Sequence, residues 1–244
     1  MVRKTQAAVG GGRRAVSLGA LKEGITFVRT NPILLSLMVL DFNATFFGNQ
    51  RALFPVYARD ILEVPAVWSG EETGAMVGAA GLGVMNSAVA IGALLGALIV
   101  NRLPGRDYAG RWVMILMTCF GLCTCGFAIS TNFFLTLALL GGVGLTNSAA
   151  TILRNTINQL VTPDKLRGRV LAVNHVFTSG GPQFGQFESG AVAATWGAEV
   201  SAFTGGLAAA LIVPMLIFVR PIREFRMRRA ESDASAAREE AGVR

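Results

Sequence analysis

Apolar residues in this chain gather into six long stretches separated by short polar connections. A helix needs roughly 20 apolar residues to cross a hydrocarbon core. The pattern predicts spans at 32–56, 77–100, 112–130, 133–153, 170–194 and 201–219. The fifth is the most polar, with Asn174, His175, Thr178, Gln183, Gln186 and Glu188, so it is expected to face other helices or water rather than lipid. Ahead of the first span, 17–30 reads as an amphipathic surface helix with Leu18, Leu21, Ile25 and Phe27 or Val28 toward the membrane. The organisation is therefore a basic segment at 1–31, a six-span bundle at 32–220 and a charged, alanine-rich tail at 221–244, frayed or disordered.

The connections sort by charge. One side receives Arg3, Lys4, Arg13, Arg14, Lys22 and Arg29, then Arg102, Arg106 and Arg111, then Lys165, Arg167 and Arg169, then the tail. The other receives Asp60, Glu63, Glu71, Glu72 and Glu199, with Arg59 as the exception. Basic residues mark the cytoplasmic side, so both termini are expected there. Hydrophobic residues make up 52% of the chain and charged ones only 15%, too few for a soluble domain of this length. The net charge of +7 lies in the flanks, without interleaved aromatics, which points to anionic lipid rather than nucleic acid. Residues 1–20 hold no apolar core run of a secretory signal, so the first span is expected to serve as its own insertion signal.

Glycines suggest how the spans pack. Gly92 with Gly96, and Gly181 with Gly185, are G-x-x-x-G pairs that let backbones approach closely. Pro182 in mid-span predicts a kink.

Candidate chemistry lies in polar residues that a bilayer disfavours. Asp41 follows Pro32 by nine residues, which at about 1.5 Å per residue places it near the midplane. Asp41, Thr45, Gly48, Asn49 and Ala52 recur at helical spacing, as do Asn147, Thr151, Arg154, Asn155 and Asn158, and Asn174, Thr178, Gly181, Gly185 and Glu188. Three such stripes suggest a shared hydrated cavity. Asp41 reads as a proton-coupling or cavity group, or else as a hydrogen-bonded packing residue. Thr45, Asn49, Asn147, Thr151, Asn155, Thr178 and Gln183 are candidates for the cavity lining. Arg154, near the cytoplasmic end of its span, is expected to snorkel to the interface in a structural role. Arg51 can pair with an acid or snorkel outward, Glu188 can reach external water, and His175 reads as structural. Cys119, Cys123 and Cys125 lack the further ligands of a metal site and read as packing residues. No catalytic or nucleotide-binding motif is present, so neither an enzyme nor a bound cofactor is expected.

Residues 155–170, from Asn155-Thr156-Ile157-Asn158 through Pro163-Asp164 to Arg167-Gly168-Arg169, resemble the signature loop in the carboxyl-terminal half of major facilitator superfamily transporters. The run from Arg51 to Asp60 and Gly180-Gly181-Pro182-Gln183-Phe184-Gly185 extend the likeness to the bacterial transmembrane secretion effectors, the enterobactin exporter group. It covers about Leu18 to Arg223. The resemblance implies an all-α, polytopic membrane protein whose six-helix bundle corresponds to one half of a major facilitator fold, in the bacterial plasma membrane. It implies proton-coupled efflux of a small amphipathic compound, of drug or siderophore type. Asp164, Arg167, Gly168 and Arg169 would form the cytoplasmic loop motif, with Thr162 as helix cap, Pro163 at the first helical position and the basic residues pairing with acids nearby. The equivalent acid of the other bracing loop is missing where Val100 and Asn101 stand. Family members rock two six-span halves about a central site. The expected partners are thus the lipid bilayer, a small-molecule substrate and a complementary half, or a second copy of this chain, which is disfavoured because the two halves normally differ. The alternative is a non-transporting subunit or inactive fragment that anchors or regulates a partner; the connections are too short for a membrane domain of an ATP-driven exporter.

Overall fold

The computed structural model describes residues 18–48, 50–62, 74–100 and 108–217, with Arg102 and Ser232. The expected amino-terminal basic run, the tail beyond 220 and most of the second connection lie outside the described residues. Every described element is helical: α1 (Leu18–Thr30), α2 (Pro32–Phe46), an irregular helical run from Gln50 to Ile61, then α3 (Gly74–Val100), α4 (Ala109–Ile129), α5 (Phe133–Val161), α6 (Asp164–Trp196) and α7 (Ala198–Ile217).

Local chemistry sets the ends. Asn31 caps α2, its Oδ1 accepting from the backbone N–H of Ile33 at 3.1 Å and of Leu34 at 3.4 Å, with Pro32 at the first helical position. Asn132 caps α5 through Leu135. Gly197, the left-handed residue between α6 and α7, has φ 92°, a conformation glycine adopts without strain.

The first span departs from the continuous helix expected at 32–56. It stops at Phe46 and resumes as a 3-10 turn at Gln50–Leu53, an α turn at Phe54–Val56 and a wide π turn at Tyr57–Ile61. Pro55 brings no N–H to the ladder, and Gly48 sits where a side chain would strike the Phe120 ring. Tyr57, fully buried, anchors the irregular run by donating its hydroxyl to the Ala128 carbonyl at 2.9 Å.

The fourth and fifth spans are longer than their apolar stretches. α5 continues two turns past Leu153 to Val161, and α6 starts at Asp164 rather than Val170. The stretch read as a loop is therefore almost wholly helical, turning only at Thr162 and Pro163. Pro163 stands at the cap with its carbonyl accepting from Leu166 and Arg167, and Thr162 ends α5, one position off the expected cap. α6 is continuous through Pro182.

Four of the described helical paths are long and apolar enough to cross a membrane: Pro32–Ile61, Ala80–Val100, Ala109–Ile129 and Phe133–Val161; Ala198–Val213 is apolar but shorter. α6 is too polar to qualify and is instead packed into the bundle against α2, α7 and α1. α3 pairs with α5, and α4 with both α5 and α7. Lipid offers no hydrophobic drive between helices, so close backbone approach carries the packing. A Cβ on Gly92 or Gly96 of α3 would strike the carbonyls of Gly141 and Leu145 on α5, and one on Gly144 that of Val89. Gly181 and Gly185 of α6 lie in the same way against Thr45 and Phe46. Both glycine pairs thus sit at helix contacts, while Ile91, Leu94, Leu98, Ile115 and Leu122 point outward as a lipid-facing surface.

α1 does more than lie on the membrane. Its Val28 is buried with Leu34, Met38, Val170 and Val173, so the helix packs on the junction of α2 and α6, while Ile25 stays exposed.

Gly92→Val should lower the stability of the purified protein by about 1–3 kcal/mol, as overpacking of a tight contact does. Gly83→Ala, where a Cβ meets nothing, should leave it unchanged or slightly raised. Thermal unfolding in detergent checks both.

Candidate functional site

Asp41 lies on the buried face of α2, with Leu37, Leu40 and Ala44 of the core around it in the helix. Its carboxylate meets Arg154 of α5, Nη2 to Oδ1 2.7 Å. Arg154 also donates from Nη2 to Thr151 Oγ1 at 2.9 Å and from Nη1 to Met117 Sδ at 3.0 Å on α4. Asp41 is 7% exposed and Arg154 2%. Arg154 therefore does not snorkel. Its helix runs two turns further than its apolar stretch, which carries the guanidinium into the bundle instead of leaving it at the interface. Charges at such depth persist only when paired and hydrogen-bonded, and this pair ties α2 to α5.

One turn above Asp41, a cavity of about 280 Å³ opens between the irregular run, α4, α5 and α6. Its polar lining comes from Thr45, Gln50, Arg51, Thr124, Asn147 and Gln186, and its aromatic wall from Phe54, Phe120 and Phe127. Pro182 and Gly144 line it with little bulk. Gln50 is buried, donating to the Phe47 carbonyl at 3.1 Å.

The expected lining is thus only partly assembled here. Thr45 and Asn147 line the cavity, and Thr151 holds Arg154. Thr178 is half-buried and donates to the Asn174 carbonyl at 3.0 Å. Asn155 and Gln183 are exposed on the outside of the bundle, and Asn49 lies outside the described residues. Gln50, Arg51, Thr124 and Gln186 were missed as lining residues, Gln50 because the break in the first span turns it inward and Arg51 because it was expected to pair with an acid or snorkel outward. Gln186 shares the polar face of α6 with Gln183 and could have been found by that spacing.

At the other end, Asp164 pairs with Arg167 at 2.7 Å, Arg169 with Glu23 of α1, and Gly168 is open to solvent. Arg169 thus finds an acid on a neighbouring helix, whereas Arg167 pairs within its own first turns of helix rather than in a loop. His175 is exposed and bonded to Ser179 at 2.7 Å. Cys123 and Cys125 are half-buried where α4 meets α5 and α7, as packing residues.

The described residues thus form an all-helical bundle with a buried charge pair and a small polar cavity beside it. The profile of the transmembrane secretion effector family matches residues 13–242, and the chain belongs to that family of major facilitator transporters. It is similar to the protein named multidrug efflux pump Tap of Mycolicibacterium fortuitum, 27% identical over 212 residues, which covers 85% of this chain and 47% of that one. The chain spans about half the length of this curated relative. No solved structure matches it.

The pair makes a measurable prediction. Asp41→Asn and Arg154→Gln should each cost about 3–5 kcal/mol, because each leaves a buried charge or its partner uncompensated. The combined variant should lose less than either alone. Unfolding of the four proteins of this cycle in detergent checks the coupling.

Proposed function

We propose that this chain forms the carboxyl-terminal half of an exporter that moves a small amphipathic compound outward in exchange for protons, with Asp41 taking and releasing the proton. The observation that carries the reading is the ion pair between Asp41 and Arg154, buried within one helical turn of a polar cavity. Protonation of Asp41 cancels its attraction for the guanidinium and loosens α2 from α5. Release of the proton restores the bond. A bistable contact of this kind converts one proton into a helix movement.

Other features support a bundle that works against a second one. Asn147, Gln183 and Asn86 are exposed on long helices at depths where lipid would leave them unsolvated. A second six-span unit facing them across water accounts for their polarity, and the match to about half of an efflux pump fits that arrangement. The charge sorting of the connections supports a cytoplasmic position for the turn at Thr162–Pro163 and for both termini, in a bacterial plasma membrane. The aromatic wall of Phe54, Phe120 and Phe127 suits an amphipathic substrate.

The test uses efflux of a fluorescent amphipathic dye from cells producing the chain together with its complementary half. The Asp41→Asn/Arg154→Gln protein should keep downhill exchange of the dye and lose efflux driven by a proton gradient. Gradient-driven efflux at the original level, with the same dependence on external pH, would sink the role given to Asp41.

A further inference from the structure

Three buried polar atoms on one face of α5 find no hydrogen-bond partner among the described residues: Arg154 Nε, Asn158 Oδ1 and Thr162 Oγ1. Each belongs to a side chain more than nine-tenths buried. Their spacing of four residues, a rise of about 6 Å each, stacks them along α5 from the ion pair to its C-cap at the turn that precedes α6. Buried polar groups are rarely left unpaired, and three in register are not accidental packing. A water bonded to two such neighbours would satisfy both. The donor and acceptor sequence is also suitable: Nε–H donates, the amide oxygen accepts, and the threonine hydroxyl does both.

We infer that Arg154 Nε, Asn158 and Thr162 hold a file of waters that connects Asp41 to the cytoplasmic surface and carries its proton there. The inference rests on the proton-coupling role and the orientation proposed above. Leu153, Ile157 and Val161, next to these residues in the chain, belong to the apolar clusters that hold α5 in the bundle and wall the file from lipid. Asn174 Oδ1 on α6, also buried and unpartnered, lies on the element that packs against α2 and supplies a further acceptor at this end of the bundle. In the step itself the carboxyl O–H bond of Asp41 breaks, the adjacent water gains that proton and passes one of its own onward, and the last water releases one to the cytoplasm. The carboxylate left behind pairs again with Arg154. Among the described residues Arg154 alone reaches Asp41 as an ion-pair partner; on the helices packed against α2, Glu23 pairs with Arg169, Asp164 with Arg167, and His175 bonds Ser179. Glu188 and Glu199 lie toward the opposite ends of α6 and α7.

The experiment is a pH jump on the full chain in detergent, followed by infrared absorption of the protonated carboxyl group. The band that disappears in Asp41→Asn/Arg154→Gln identifies Asp41. After a jump to higher pH, its decay should slow about tenfold in Asn158→Leu/Thr162→Val, the kinetic equivalent of about one lost hydrogen bond. Unfolding temperature should stay near that of the parent protein. Should Asn158→Leu fail to fold, the isosteric Thr162→Val alone should slow the decay about threefold, with Thr162→Ser decaying at the parent rate. Decay at the parent rate in the apolar variants would overturn the file while leaving Asp41 as the coupling group. Absence of any Asp41 band across the jump would instead overturn the coupling reading, and the file with it.

Discussion

A carboxylate and a guanidinium can remain charged in the middle of a membrane protein only by meeting each other, and the pair of Asp41 with Arg154 imposes that condition on the helices around it. Asp41 comes about nine residues into α2 and Arg154 about seven before the end of α5, so the two helices must lie side by side with their ends level. Met117 places a third helix against the same guanidinium, its sulfur a soft partner where a carbonyl is not within reach. Thr151, one turn along α5, fixes the rotamer of the arginine from its own helix. The register of α2 against α5 is thereby set by one charged contact, since sliding either helix by a turn would leave a charge alone in the apolar interior.

Backbone proximity supplies what the ion pair does not. The contact of α3 with α5 rests on Gly92, Gly96 and Gly144, and that of α4 with α7 on Gly121 and Gly206. These positions bring carbonyls and Cα atoms of facing helices together, which is where association in lipid gains its dispersion energy. α2 and α6 use the same device through Gly181 and Gly185, but next to Thr45 and to the break after Phe46. The tightly packed pairs thus form a frame, and the first span crosses it as a helix in its first half and as an irregular path beyond.

Much of this was legible in the residues because membrane patterning is coarse and strong. The all-helical organisation, the glycine contacts and the pairing of Arg169 with an acid on a neighbouring helix follow from local spacing. What failed depended on where helices end. Reading α5 only to Leu153 put Arg154 at the interface, whereas two further polar turns, held inside by other helices, carry it to the level of Asp41. Reading 155–170 as a loop had the same cause: the helices run on through a stretch whose polar residues are partly buried, as Asn158 and Thr162 are, and partly exposed, as Asn155 and Gln159 are. The cavity lining was half legible because Thr45 and Asn147 obey helical spacing, while Gln50 depends on a break that neither hydropathy nor periodicity records.

The break and the ion pair belong to one argument. A continuous first helix would satisfy its backbone internally and transmit any displacement of Asp41 rigidly to Tyr57, which is fixed to the Ala128 carbonyl. Ending α2 at Phe46 removes that rigid link. The segment that carries Asp41 can then shift against α5 and α6 while the outer run stays anchored, with the strain absorbed in the 3-10 and π turns that flank Pro55. Gly48 and Gly185 let the Phe120 ring and the Phe46 backbone pack directly against the chain on either side of the break. The cavity lies at this junction, bordered by the last turn of α2 and the first of the outer run. A change in the charge of Asp41 is therefore felt first by the residues that line it.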